Sequence, residues 1–137
     1  MLKTISPQWK RFNLSLLSSV TLALSLSSSA QTALQVILPG TIQKALGGKE
    51  WDPAGEITRM LEVGPDLYEF IAAFPKGNYE FKVAIGGGWS VNYGADGKAG
   101  GDNIKLAVNN DQTIVRFLFD NKTKILKDSL NQAAEVK

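Results

Sequence analysis

The chain has 137 residues, with 15 basic and 13 acidic side chains and neither cysteine nor histidine. Those absences exclude disulfide staples, a lipoprotein cysteine, Ser-His-Asp and Cys-His nucleophiles and the usual zinc ligand sets. Lys3, Lys10 and Arg11 fall in the first 30 residues, which hold no acid, so residues 31–137 carry 12 basic against 13 acidic side chains, a balance that gives no basis for binding nucleic acid or anionic lipid.

Taken in chain order, the first 30 residues differ from the rest. Three basic residues precede the uncharged "FNLSLLSSVTLALSLSSSA", which ends on Ser28-Ser29-Ala30. Positive flank, apolar run and small-residue site in that order predict a secretory signal peptide over 1–30, cleaved after Ala30, with Ala33 as a second site. The run is short and diluted by serine, so no stable membrane insertion is expected after cleavage, and the mature protein is expected to be secreted or periplasmic.

From Leu34 onward, short apolar runs alternate with turn residues. "ALQVIL" stops at Pro39-Gly40, "TRMLEV" at Gly64-Pro65-Asp66, "LYEFIAAF" at "PKGN" and "YEFKVAI" at a triple glycine. "NIKLAV", "TIVRFLF" and "KILKD" follow, separated by "NNDQ" and "DNKT". This spacing predicts an all-β antiparallel sandwich of about seven or eight strands over residues 31–128. Period two assigns Tyr79, Phe81, Val83 and Ile85 to one core face and Ile104, Leu106 and Val108 to another. "TIVRFLF" is apolar on both faces except Arg116, as in a central strand with Val115, Phe117 and Phe119 inward. "TIQKAL", Thr41 to Leu46, reads as one or two helical turns. The tail, 129–137, lacks a useful apolar face and is expected to fray. Asn121-Lys122-Thr123 matches a glycosylation sequon, and a hairpin turn accounts for it without sugar.

The segment "AIGGGWSVNYGADGKAGGDNIKL", Ala84 to Leu106, gathers seven of the thirteen glycines around Trp89, Asn92 and Tyr93. A glycine-rich loop is costly to order, so an anchor beneath it or a ligand above it must offset that cost. Trp51, in "GGKEWDPAG", and Trp89 each admit two readings: a plug between the sheets, or a platform for the apolar face of a sugar ring. A working platform needs a second ring and hydrogen-bonding partners. Tyr93 is the expected neighbour of Trp89, and Asn92, Asp102, Asn103 and Lys82 are the polar candidates. The segment lacks the phosphate-loop motif and its strand-loop-helix setting, and also the spacing of a calcium loop. The carboxylates alternate along strand exteriors, Glu69 and Glu80 among them, where a solvated face explains them better than an acid/base pair. No catalytic residue, metal site or cofactor is expected.

The span from "EWDPAGEITRM" to "DNKTKIL" resembles the accessory immunoglobulin-like module of bacterial pullulanases and amylopullulanases. The matching elements are Trp51-Asp52-Pro53, "FPKGNYEFK", the W-x-x-NYG at Trp89 to Gly94, the GDNI at Gly101 to Ile104, and Asp120 with Thr123 after Phe117 and Phe119. W-x-x-NYG with GDNI is also similar to repeats of outer-membrane starch-binding proteins. The resemblance implies an immunoglobulin-like sandwich and a non-catalytic role with α-glucan of the starch, glycogen or pullulan type. The module is expected to act without a catalytic domain of its own, by binding glucan or by docking to an α-glucan-degrading enzyme. The alternative is a structural or protein-interaction module with both tryptophans buried.

Overall fold

The computed structural model describes residues 33–132; the expected signal peptide, 1–30, and the last five residues lie outside them. Among the described residues, nine strands form in chain order: β1 (Val36–Ile37), β2 (Leu61–Gly64), β3 (Leu67–Phe74), β4 (Gly77–Phe81), β5 (Val83–Ile85), β6 (Val91–Tyr93), β7 (Ile104–Val108), β8 (Thr113–Asp120) and β9 (Ile125–Asp128). Two short helices accompany them, α1 (Thr41–Ala45) and α2 (Ser129–Gln132). All strand pairs are antiparallel. One layer has the order β2-β3-β8-β9, and the other is made of β1-β5-β6 and β4-β7.

The longest ladder, β3 with β8, runs in unbroken register from Leu67↔Asp120 to Phe74↔Thr113. Its inward row carries Tyr68, Phe70, Ala72 and Phe74 on β3 and Val115, Phe117 and Phe119 on β8, all within or packed on the core. The second layer meets this row ring to ring: Phe81 lies 5.4 Å from Phe117, edge on, and Tyr93 lies 6.3 Å from Phe119. Such tilted and edge-on pairs stabilise beyond their buried area, by about 0.5–1.5 kcal/mol each. Arg116, the single charge of "TIVRFLF", points outward to Glu69, with 2.6 Å between its Nε and the carboxylate.

The sandwich and its core follow the alternation in the sequence, whereas the strand count exceeds it for two reasons. "YEFKVAI" is one run in sequence, but it breaks at Lys82, where β4, paired with β7, gives way to β5, paired with β1 and β6. The run thus joins the two parts of the second layer. The glycine-rich segment, in addition, contains β6. "TRMLEV" is likewise divided: Met60 donates to Val36 O (2.8 Å) in the second layer, while Leu61–Gly64 pairs with β3 in the first.

The chain does not fray at Ser129 as its composition suggests. The buried Asp128 carboxylate accepts the amides of Leu130 (3.1 Å) and Asn131 (2.9 Å), an N-cap that starts α2, and Leu130 packs on the core. One cap and one apolar contact suffice to order a four-residue turn, which no periodicity argument detects.

Candidate carbohydrate-binding surface

Two loops build the surface, and each needs its own local device. The glycine-rich segment leaves β5 through Gly86 and Gly87, both at positive φ, and re-enters at β6. After β6 it doubles back, with Ala95 N–H donating to Asp102 O (2.8 Å) and Gly100 N–H to Asn92 O (3.0 Å). The crossing is so close that a Cβ at Gly94 would sit 2.1 Å from Asp102 O, so only glycine passes there. Backbone hydrogen bonds and close backbone contact therefore order this loop, and its tryptophan is left toward solvent. Trp89 is 41% exposed.

The second loop follows α1. Trp51 has φ 58°, a left-handed conformation that bulky residues rarely adopt, and its amide reaches Gly40 O (3.4 Å). Asp52 then closes a turn by accepting the Ala54 amide on its carboxylate (3.0 Å). The outcome is a half-buried Trp51 whose ring centroid lies 6.5 Å from that of Trp89, with 36° between the planes. Two indoles separated by 38 positions in sequence thus form one tilted surface.

The Trp89 turn is tied through Asn92 to the β1-β5-β6 sheet. In register, Val36, Ile85, Val83 and Tyr93 face the core, so the row Ile37↔Ala84↔Asn92 faces away from it. Ile37 and Ala84 are nevertheless fully buried, so this side of the sheet is covered. Asn92 is the polar end of the row. Its Nδ2 donates to Trp89 O (2.8 Å), tying the Trp89 turn to the sheet, and its buried Oδ1 has no protein partner. Lys82 lies between the buried, core-facing Phe81 and Val83 and so projects to the same outer side.

The remaining sequence candidates divide. Tyr93, expected beside Trp89, turns inward instead: its ring packs on Phe119, and the Lys124 ammonium sits 5.4 Å from its centroid. The register forces this, because Tyr93 pairs with the core residue Val83, one position out of phase with Asn92. Asp102 serves the loop crossing through its carbonyl, with its side chain exposed. Asn103 Nδ2 is 3.5 Å from Glu80 Oε2, on the outward side of β4. The structure thus brings Trp51 and Trp89 together, ties Asn92 to the Trp89 backbone, sets Lys82 on the outward side of the β4–β5 junction and gives Tyr93 to the core. The sequence reading missed Gln43, whose fully buried amide binds the Trp51 loop. Its only signal is a glutamine at the third position of a helical turn that follows Pro39-Gly40.

The family model for the pullulanase X25 domain matches residues 35–126. The chain belongs to that family. An X25 domain is an accessory module of pullulanases, distinct from their catalytic domain. This X25 domain is 46% identical over 88 residues to an amylopullulanase of Thermoanaerobacterium saccharolyticum, covering 63% of this chain and 7% of the relative. An amylopullulanase of Thermoanaerobacter thermohydrosulfuricus is 45% identical over 85 residues, 61% of this chain and 6% of the relative. Among solved structures, the pullulanase from Bacillus acidopullulyticus superposes with a TM-score of 0.66 at 28% identity, over 76% of this chain and 12% of that one. The X25 domain therefore spans a small fraction of each relative's length.

Proposed function

We propose that this X25 domain binds α-glucan chains on the Trp51–Trp89 pair, without catalysis, with Lys82 as the polar candidate beside the rings and Asn92 holding the Trp89 turn in place. The observation that carries the reading is the pair itself: two neighbouring indoles, 6.5 Å apart, one of them 41% exposed. One ring gives too little, since covering about 100 Å² of indole face is worth roughly 2–3 kcal/mol, against a rigid-body cost of at least about 4 kcal/mol. Two rings give about 4–6 kcal/mol gross, about 0–2 kcal/mol after that cost, so several hydrogen bonds to ring hydroxyls must supply the rest of the roughly −4 to −6 kcal/mol of a millimolar to tens-of-micromolar site. The 36° tilt supports a curved ligand. An α-1,4-linked chain turns from one sugar to the next, whereas a β-1,4 ribbon keeps its ring faces in parallel planes. Membership in a pullulanase module family supports the same substrate class.

Residues 1–30 act in this proposal as a cleaved signal, with the module over 31–128 working outside the cytoplasm, alone or with an α-glucan-degrading enzyme. N-terminal sequencing of exported protein should return Gln31, or Leu34 where the second site is used; Met1 on mature extracytoplasmic protein would overturn the signal reading.

Affinity electrophoresis tests the binding. Amylopectin and pullulan in the gel should retard the protein and soluble cellulose derivatives should not. Mobility unchanged at high amylopectin loading would overturn the glucan reading and favour a structural or docking role.

A further inference from the structure

We propose that Gln43 is the positioning residue of the tryptophan pair. Its side chain is fully buried and every hydrogen-bonding position of its amide that geometry can use is filled. Oε1 accepts the amides of Gly40 (3.1 Å) and Asp52 (3.0 Å), while Nε2 donates to Asp52 O (2.8 Å) and Thr58 Oγ1 (3.2 Å). Two of these four bonds grip the backbone of the residue that follows Trp51, one at its N–H and one at its C=O.

Trp51 needs such a grip. It sits at φ 58°, and its own amide bond to Gly40 O is long at 3.4 Å. A left-handed conformation at a bulky residue persists only where the surroundings over-determine it. The Gln43 network also ties the loop to the sheet beneath, because Thr58 Oγ1 passes the chain on to Leu38 O (2.8 Å), just beyond β1. A buried, fully satisfied polar network is rigid, and loss of one member leaves its partners unpaired. Gln43 is itself fully buried, so it acts through Trp51 and not on a ligand. The role of Gln43 in shaping the pair stands on this geometry alone; its consequence for glucan affinity rests on the binding reading above.

The test separates the two. Indoles this close give an exciton couplet in far-ultraviolet circular dichroism, and its identity is fixed by its loss in both Trp51→Ala and Trp89→Ala. Gln43→Met, which keeps the volume and removes all four bonds, should lose the couplet while the rest of the spectrum stays that of the folded sandwich. Its amylopectin association constant should fall about tenfold or more. Val115→Ala, a core truncation in β8, should lower the melting temperature and keep the couplet, showing that reduced stability alone does not move it. Should Gln43→Met fail to fold, Gln43→Glu, which retains the two accepted bonds but sets an oxygen against Asp52 O, carries the same readouts. A couplet unchanged in a folded Gln43 variant would overturn the proposal, as would failure of both variants to fold, since Gln43 would then belong to the core as a whole. If wild-type protein shows no glucan affinity, the binding reading fails while the couplet still decides the role of Gln43.

Discussion

Trp89→Ala tests the surface most directly, because the ring is neither free nor fully buried. An indole presents about 150–250 Å², so at 41% exposure about 90–150 Å² is covered by protein and about 60–100 Å² faces solvent. At about 25 cal/mol per Å², the covered part is worth at most about 2–4 kcal/mol. Alanine retains some of it, and water fills the vacated space at the surface, so the expected destabilisation is about 2 kcal/mol. For a domain of roughly 100 residues that lowers the melting temperature by about 8–16 °C. The open face is worth about 1.5–2.5 kcal/mol under a sugar ring, a loss of roughly 10- to 70-fold in affinity. From a starting point of millimolar to tens of micromolar, that removes retention on amylose. Differential scanning fluorimetry and affinity electrophoresis on the same preparation read both quantities. Retention kept by a variant that melts early would refute the platform and leave Trp89 as a structural plug. An unchanged melting temperature would refute the burial arithmetic.

The other expectations concern the frame that holds this surface. Phe117→Ala should cost about 3–5 kcal/mol in denaturant titration, because Phe117 is fully buried and packs on Phe70, Phe74 and Phe81 with centroids 5.4–6.0 Å away; a loss below about 1 kcal/mol would mean that the core collapses around the site. Gly94→Ala should destabilise by about 1–3 kcal/mol and speed hydrogen exchange at the Ala95 amide, since the added carbon meets Asp102 backbone; protection unchanged from wild type would contradict that crossing. Burial, aided by Glu62 and Asp66, raises the Tyr68 phenol above its ordinary value of 10.0, and burial with Asp111 does the same for Tyr79. The unfolded chain then releases these protons first, so stability should hold up to about pH 10 and fall as pH rises through the folded-state values, a loss that Tyr68→Phe should reduce.

Much of the frame was legible before any coordinates. Alternation in "YEFKVAI", "NIKLAV" and "TIVRFLF" is a local property, and burial of one strand face needs only that a second layer exists. The inward set Tyr79, Phe81, Val83, Ile85, Ile104, Leu106, Val108, Val115, Phe117 and Phe119 follows from it; seven are in the buried core, and Tyr79, Ile85 and Ile104 pack against it partly buried. The glycine-rich segment likewise announces a loop that needs close backbone approach, as Gly94 shows. Alternation does not say which partner a strand takes along its length. "YEFKVAI" and "TRMLEV" both change partners midway, and it is the β5–β6 register, Val83 opposite Tyr93 and Ala84 opposite Asn92, that sends Tyr93 to the core and Asn92 outward. The meeting of Trp51 with Trp89 depends on a left-handed residue and on a buried glutamine that binds a loop nine positions away. Sequence determines periodicity because each residue carries its own polarity; only the tertiary structure determines neighbours, because contact between distant loops depends on hydrogen bonds to backbone groups that carry no side-chain signature in the sequence.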